Sequence, residues 1–288
     1  MSSPTSISQP VSGRFRHVVG ELDRAVANST PGAPSEISEV PPHKRDLVAK
    51  LIEENQDVWK ELINNKFCRA MKESTRGDHH VLRGFEWYMM QDYYYVASLI
   101  EYEAARVPKA QTANDVQTMI QRVSDTAKYT DHFFKAVTAA QPQGMGISTS
   151  TLLSTNLCEV LKKYIDLIIK AAEDENEVLS MVAMIVSLQS YYALASDLYK
   201  YSDHHDTLWY KFWAEDNFGL GKSCLQQQSG CPHSVILWRF LMTPLLSEFF
   251  IDNYRFWKDD MEKITKVFRE TCKLELELWE EAWTHAQH

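Results

Sequence analysis

The sequence predicts an all-helical bundle. Apolar residues recur at three- and four-residue spacing through most of the chain after residue 42, as one-faced helices require. Alternating runs rich in β-branched residues, the mark of strands, are absent. Pro, Gly and acidic clusters interrupt the periodic segments at distances that suit helices.

Residues 1–42 are rich in Ser, Pro and Gly and read as a flexible or loosely docked arm, in which only Phe15–Ala27 has helical character. Pro41-Pro42 closes the arm, and residues 43–288 read as one helical domain. Its first helix is predicted over Leu47–Ala70, through Leu51, Trp59 and Ile63. The second runs over Val81–Arg106 and ends at Val107-Pro108, because proline cannot continue a helix. Ala113–Ala139 follows, stopped by Gln-Pro-Gln-Gly-Met-Gly. Ser150–Ala172 and Glu177–Tyr199 come next, split by an acidic turn at 173–177. Leu208–Asn217 and His233–Asp252 are shorter, and Tyr254–Trp283 closes the chain as one helix or two. No internal repeat is visible.

Composition narrows the function classes. The net charge is −9 with a pI near 5.6, and the basic residues form no block, which argues against nucleic acid or an anionic membrane as partner. The most apolar stretch, Ser234–Phe250, carries Arg239, Pro244 and Glu248 and is too short to span a bilayer. The N-terminus lacks the apolar core of a signal peptide. The five cysteines, Cys68, Cys158, Cys224, Cys231 and Cys272, are odd in number and widely spaced, as reduced cytoplasmic thiols are. Gly221-Lys222-Ser223 looks like the end of a phosphate loop, but Asp216 stands where that motif needs its first glycine, and no strand precedes it.

Two carboxylates stand out. Phe85, Tyr88, Asp92, Tyr95 and Leu99 share one helical face, so Asp92 sits inside an aromatic stripe. Phe268, Cys272, Glu275, Trp279 and Ala282 repeat the arrangement on the last helix, while Glu277, Glu280 and Glu281 fall on the solvated side. A charge in such a stripe loses hydration and needs a compensating partner. An Asp and a Glu facing each other across a bundle core suit general acid/base work, and a purely structural role for each is the other reading. A third stripe, Ala183, Ser187, Tyr191, Leu194 and Leu198, holds one small hydroxyl, expected to bond the carbonyl four residues back. The pairs His79-His80 and His204-His205 point to different helix faces, and no His-Glu-x-x-His run exists, so neither a metal nor a cofactor is expected.

Together these segments resemble the TenA (thiaminase II-like) family. Phe85-x-x-Tyr-x-x-Gln-Asp-Tyr-x-Tyr95 is similar to its signature Phe-x-x-Tyr-x-x-Gln-Asp-x-x-Tyr. Glu275-x-x-x-Trp279 resembles the last helix with its active-site glutamate, and Ala183-x3-Ser187-x3-Tyr191 resembles the helix that carries the catalytic cysteine. The likeness spans roughly residues 47–285. It implies a heme-oxygenase-like bundle with a central pocket, a small-molecule substrate, a cytoplasmic location and a dimer or tetramer. The better-known members hydrolyse thiamin breakdown products at a C–N bond. Carried over, Asp92 would hold the ring nitrogen or amine, Glu275 would shuttle the proton, and Ser187 would stand at the nucleophile position. Tyr88, Tyr95, Tyr191, Tyr254 and Trp279 would line the pocket. Tyr254 follows from matching Phe250-Ile-Asp-Asn-Tyr254 to a family segment; a competing alignment through Tyr210-x-x-Trp213 puts Asn217 there.

The departure is Ser187. A neutral hydroxyl is a far weaker nucleophile than a thiolate and needs a base. Cys158, on the preceding helix, is the other candidate thiol. Alternatives to hydrolysis are therefore a tailoring enzyme of secondary metabolism or a ligand-binding module. A di-iron oxidase of the same fold ranks third, since Asp203-His204-His205-Asp206 has the wrong ligand spacing.

Overall fold

The computed structural model describes residues 46–219, 250 and 254–288. The chain divides into the units Met1–Pro42 and His43–His288, and every described residue lies in the second. The expected arm at 1–42, the Gly221-Lys222-Ser223 loop, Cys224, Cys231 and most of the helix at His233–Asp252 fall outside the described residues. Among the described residues the fold is all-helical, with no strand.

The expected first helix is three helices: α1 (Leu47–Glu54), α2 (Gln56–Ile63) and α3 (Lys66–Glu73). Asparagines make the breaks. Asn55 Nδ2 donates to Leu51 O at 2.7 Å, and Asn64 Nδ2 donates to Lys60 O at 2.8 Å. Asn65 then caps α3 by accepting from Cys68 N at 2.8 Å. Short amide side chains that bond the local backbone compete with the helical ladder.

α4 (His79–Arg106) begins two residues before Val81, because the Asp78 carboxylate accepts from the His80 and Val81 amides. Pro108 ends it in the 3-10 turn Val107–Lys109. α5 (Ala113–Thr138) starts with a reciprocal cap between Thr112 and Asp115. The helix expected over Ser150–Ala172 is broken into α6 (Thr149–Leu153) and α7 (Glu159–Glu173). The Gln91 side chain holds the gap open: its Nε2 donates to Asn156 O at 3.0 Å, and its Oε1 accepts from Cys158 N at 3.0 Å.

α8 (Glu177–Tyr201) is buried without interruption from Val178 to Leu188. Ser234–Phe250, the stretch singled out from sequence, lies outside the described residues except for Phe250. The mean hydropathy of α8, 1.6, would suit a membrane span. However, 83% of that window is buried in the bundle, so its apolarity is that of a central core helix. The segment expected as an ordinary helix over Leu208–Asn217 winds as a π-helix over Tyr210–Gly219. The last helix is two: α9 (Tyr254–Trp257) and α10 (Met261–Gln287).

α7 and α10 pack on each other and each packs on both α4 and α8, and the four helices surround the site. α5 lies on α4, the π-helix lies on α8, and α2 and α3 pack against α10 and α8. Gly84 lets α4 and α10 approach: a Cβ there would lie 2.6 Å from Ala282 O and 2.8 Å from Phe67.

Candidate active site

Asp92 and Glu275 are both buried, on α4 and α10. Around them stand Tyr88 and Tyr95 from α4, Tyr164 from α7, Ser187 and Tyr191 from α8, Trp213 from the π-helix and Trp279 from α10, all buried. Helical spacing explains the grouping. Tyr88, Asp92 and Tyr95 lie four and three residues apart, as do Ser187 with Tyr191 and Glu275 with Trp279, so each helix presents its polar group beside a ring.

Tyr88, Trp279, Tyr191 and Trp213 form a continuous wall of rings. Tyr88 stacks on Trp279 with centroids 4.0 Å apart and planes 12° apart. Tyr191 meets Trp279 at 6.1 Å and Trp213 at 5.7 Å, both edge-on. Trp213 and Trp279 stand nearly perpendicular at 5.4 Å. Tyr95 tilts over Tyr164 at 5.1 Å.

The hydroxyls are ordered by hydrogen bonds. Tyr88 donates to Tyr191 at 2.6 Å. Tyr95 donates to Ser187 Oγ at 3.3 Å, and Ser187 in turn donates to Met184 O at 3.2 Å. The serine thus bonds the carbonyl three residues back, where four was expected. Its proton is held by the main chain and its oxygen by a phenol.

Burial pushes the Tyr88, Tyr164 and Tyr191 phenols well above their ordinary range. Asp92 and Glu275 both add to the rise at Tyr88 and at Tyr191. At Tyr164 the neighbours that add are Tyr95 and Glu275, although among the described residues no hydrogen-bond partner meets its hydroxyl. Asp92 and Glu275 therefore act together on Tyr88 and Tyr191, and all three phenols keep their protons. Burial, with Glu275 contributing, also raises the Cys68 thiol, and it pushes Cys272 up to about 12. Neither thiol supplies a thiolate nucleophile near neutral pH.

Cys158 is half-buried and serves as the cap of α7, its Sγ accepting from Leu161 N at 3.4 Å. Burial raises this thiol as well, and the carboxylate that adds to the rise is Glu281, not Asp92 or Glu275. Tyr254 packs edge-on against Trp257 at 4.9 Å, and among the described residues no ring contact joins it to the cluster. Asn217, its rival, donates to Trp213 O at 2.8 Å, so the segment of the competing alignment does reach the ring wall. The histidine pairs are engaged elsewhere: His80 with Arg83, and His205 with Ser202 O and the Tyr210 ring. Among the described residues no three His, Cys, Asp or Glu side chains gather as a metal site. A groove of about 390 Å³ over Lys163, Lys170 and Lys263 lies on α7 and α10 and contains none of the site residues.

Sequence reading missed Tyr164 and gave Trp213 no role. Tyr164 shares a face with Leu161, Ile168 and Ala171, a stripe that looks like ordinary core. Trp213 is presented by a π-helix, whose register helical periodicity does not forecast.

Comparison with known proteins fits this architecture. A TenA family transcription regulator from Silicibacter sp. TM1040 superposes with a TM-score of 0.59 at 16% identity, covering 82% of this chain and 96% of that one. A TenA homologue from P. horikoshii OT3 gives 0.60 at 17%, covering 82% and 98%. A Sulfolobus solfataricus P2 protein, described provisionally as a TenA-like thiaminase, gives 0.51 at 14%, covering 82% and 95%. At these identities the likeness establishes the fold. No curated protein matches the chain. The profile of the TENA/THI-4/PQQC family matches residues 52–220, more than half of the sequence, and the chain belongs to that family.

Proposed function

We propose that the protein is a small-molecule enzyme whose default reaction is hydrolysis of a C–N bond on an aminopyrimidine-like heterocycle. One observation carries this reading: Asp92 and Glu275, from two different helices, act on the same pair of hydrogen-bonded phenols beside a stacked tyrosine–tryptophan wall. A planar ring bearing an amine suits such a space. The aromatic faces take the ring, and the carboxylates take the N–H groups.

In this reading Asp92 grips the ring nitrogen or amine. Glu275 transfers the proton. A water oxygen forms the new C–O bond, the C–N bond breaks, and the proton leaving water ends on the departing ammonia. Tyr88, Tyr95 and Tyr191 orient the ligand with protonated hydroxyls. Trp279 supplies the stacking face. Tyr254 belongs to the proposed lining by its match to the family segment alone.

The arrangement at Ser187 favours a second reading. Its hydroxyl donates to Met184 O and accepts from Tyr95, which leaves it poised as an anchor for Tyr95 and not as an activated nucleophile. A fold that keeps the carboxylate pair without a thiolate suits direct, non-covalent chemistry, including tailoring of another heteroaromatic or natural product. Incubation with 4-amino-5-aminomethyl-2-methylpyrimidine separates the two. Ammonia release that disappears in Asp92→Asn and Glu275→Gln supports hydrolysis. Binding without ammonia supports the second reading.

A further inference from the structure

The four most deeply buried tryptophans divide into two classes. Trp209, Trp213, Trp257 and Trp279 are each at most 1% exposed. Trp209 Nε1 donates to Met71 O at 2.6 Å, and Trp257 Nε1 donates to Phe250 O at 2.7 Å. Among the described residues Trp213 Nε1 and Trp279 Nε1 have no acceptor. The residue type and the burial are the same in all four, so neither explains the difference. Position does: the two unsatisfied indoles are the two that touch Tyr191, whose phenol is raised by Asp92 and Glu275. Buried donors are almost always paired, so each exception calls for an explanation, and a bound ligand is one that fits beside this cluster.

We propose that Trp213 and Trp279 are specificity-determining donors, whose indole N–H groups bond acceptor atoms on the bound ligand. The inference rests on the reading of this cluster as a small-molecule site, and it adds a requirement. The ligand presents hydrogen-bond acceptors, such as ring nitrogens or a ring carbonyl, as well as the donors that the carboxylates take. A compound with the same amines and shape but no such acceptor leaves both indoles unsatisfied and forgoes their hydrogen bonds, which weakens its binding. The π-helix has a part in this, because it brings Trp213 to within 5.4 Å of Trp279. Non-α windings of this kind are frequent at functional sites.

The test uses the isotope-labelled full chain, with its indole resonances assigned through the backbone. In the ligand-free protein the Trp213 and Trp279 indole protons should exchange with solvent about tenfold faster than those of Trp209 and Trp257, because no acceptor holds them. Saturation with 4-amino-5-aminomethyl-2-methylpyrimidine should move the first two resonances downfield and leave the second two in place. The carbocyclic analogue 2-aminobenzylamine, which keeps both amines and lacks the ring nitrogens, should bind about tenfold more weakly. Equal protection of all four indoles overturns the proposal. So does bound aminopyrimidine that leaves Trp213 and Trp279 unmoved, or equal affinity for the two compounds. If neither compound binds, the exchange rates decide alone. Ammonia release with unmoved indoles sinks the donor assignment and spares the hydrolysis; moved indoles without ammonia do the reverse.

Discussion

Tyr88 donates a 2.6 Å hydrogen bond to Tyr191 across the α4–α8 interface, and both phenols feel Asp92 and Glu275. The bond joins two helices that sequence reading treated separately. It also fixes which oxygen is the acceptor: Tyr191 receives the Tyr88 proton and keeps its own for another partner. A ligand that displaced this bond would meet two donors at once, which is how a buried phenol pair discriminates among polar ligands.

Removing one hydroxyl should expose the coupling. Tyr88→Phe deletes the donor and leaves Tyr191 short of one bond in a dry setting, at a cost of about 1–2 kcal/mol. Tyr191→Phe deletes the acceptor and orphans the Tyr88 hydroxyl at a similar cost. The double variant should lose less than the sum, since both partners are then gone. Urea midpoints of the four proteins measure this, and strict additivity would remove the bond from the account.

Gly84 lies at a close contact between α4 and α10. A Cβ at 2.6 Å from a main-chain carbonyl forces the helices apart, so Gly84→Ala should destabilise by about 1–3 kcal/mol despite alanine's better helix propensity. Because α4 carries Asp92 and α10 carries Glu275, the same variant should weaken ligand binding. Unchanged thermal unfolding would mean that the helices can slide without loss.

Part of this was legible from spacing. Asp92 and Glu275 were visible because each breaks an otherwise apolar stripe, and a stripe fixes a face whatever its neighbours do. The long helices followed for the same reason. The breaks did not follow. Asn55, Asn64 and Asn65 sit in a periodic run; the first two end helices through side-chain bonds to Leu51 O and Lys60 O, the third starts the next by accepting from Cys68 N, and periodicity is blind to such bonds. The gap before Cys158 depends on Gln91, more than sixty residues earlier. Tyr164 hid because an aromatic among aliphatics looks like core until a carboxylate is placed beside it. Trp213 hid because a π-helix alters the register on which the reading relied.

Arg106 closes the other end of α4. Its guanidinium is buried, bonds Glu103 at 3.2 Å and Glu177 at 2.7 Å, and lies over the Tyr102 ring at 5.5 Å. Burial opposes its charge, yet Tyr102, Glu103 and Glu177 outweigh that and push it up. Arg106→Met should cost about 3–5 kcal/mol, mostly because Glu103 is left charged and buried. Adding Glu103→Gln should restore part of the loss. If the second change makes unfolding still easier, the ion pair is not what the first change broke.

The acid limb of stability should depend on Asp57. Arg269 grips it with two bonds, at 2.9 and 2.6 Å, and with the Val58 amide lowers its carboxyl from 3.8 to about 2. Because the folded value lies below the ordinary one, the contribution is complete above pH 3.8 and is lost as pH falls through about 2. Asp78 and Asp174 are lowered as well, by the Val81 amide and by Lys263, so wild type should lose stability steeply over this window. Of these three carboxylates Arg269→Ala relieves only Asp57, and it also removes the bond to Asn55 Oδ1. Its deficit against wild type should be largest near neutral pH, shrink below pH 3.8 and vanish near pH 2. Asp57 is exposed, so added salt should shrink the deficit at neutral pH as well. Urea unfolding of both proteins from pH 6 to pH 2, in low and high salt, measures the effect; a deficit that stays constant with pH would place the Arg269 contribution in its contact with Asn55 Oδ1 and not in the carboxylate.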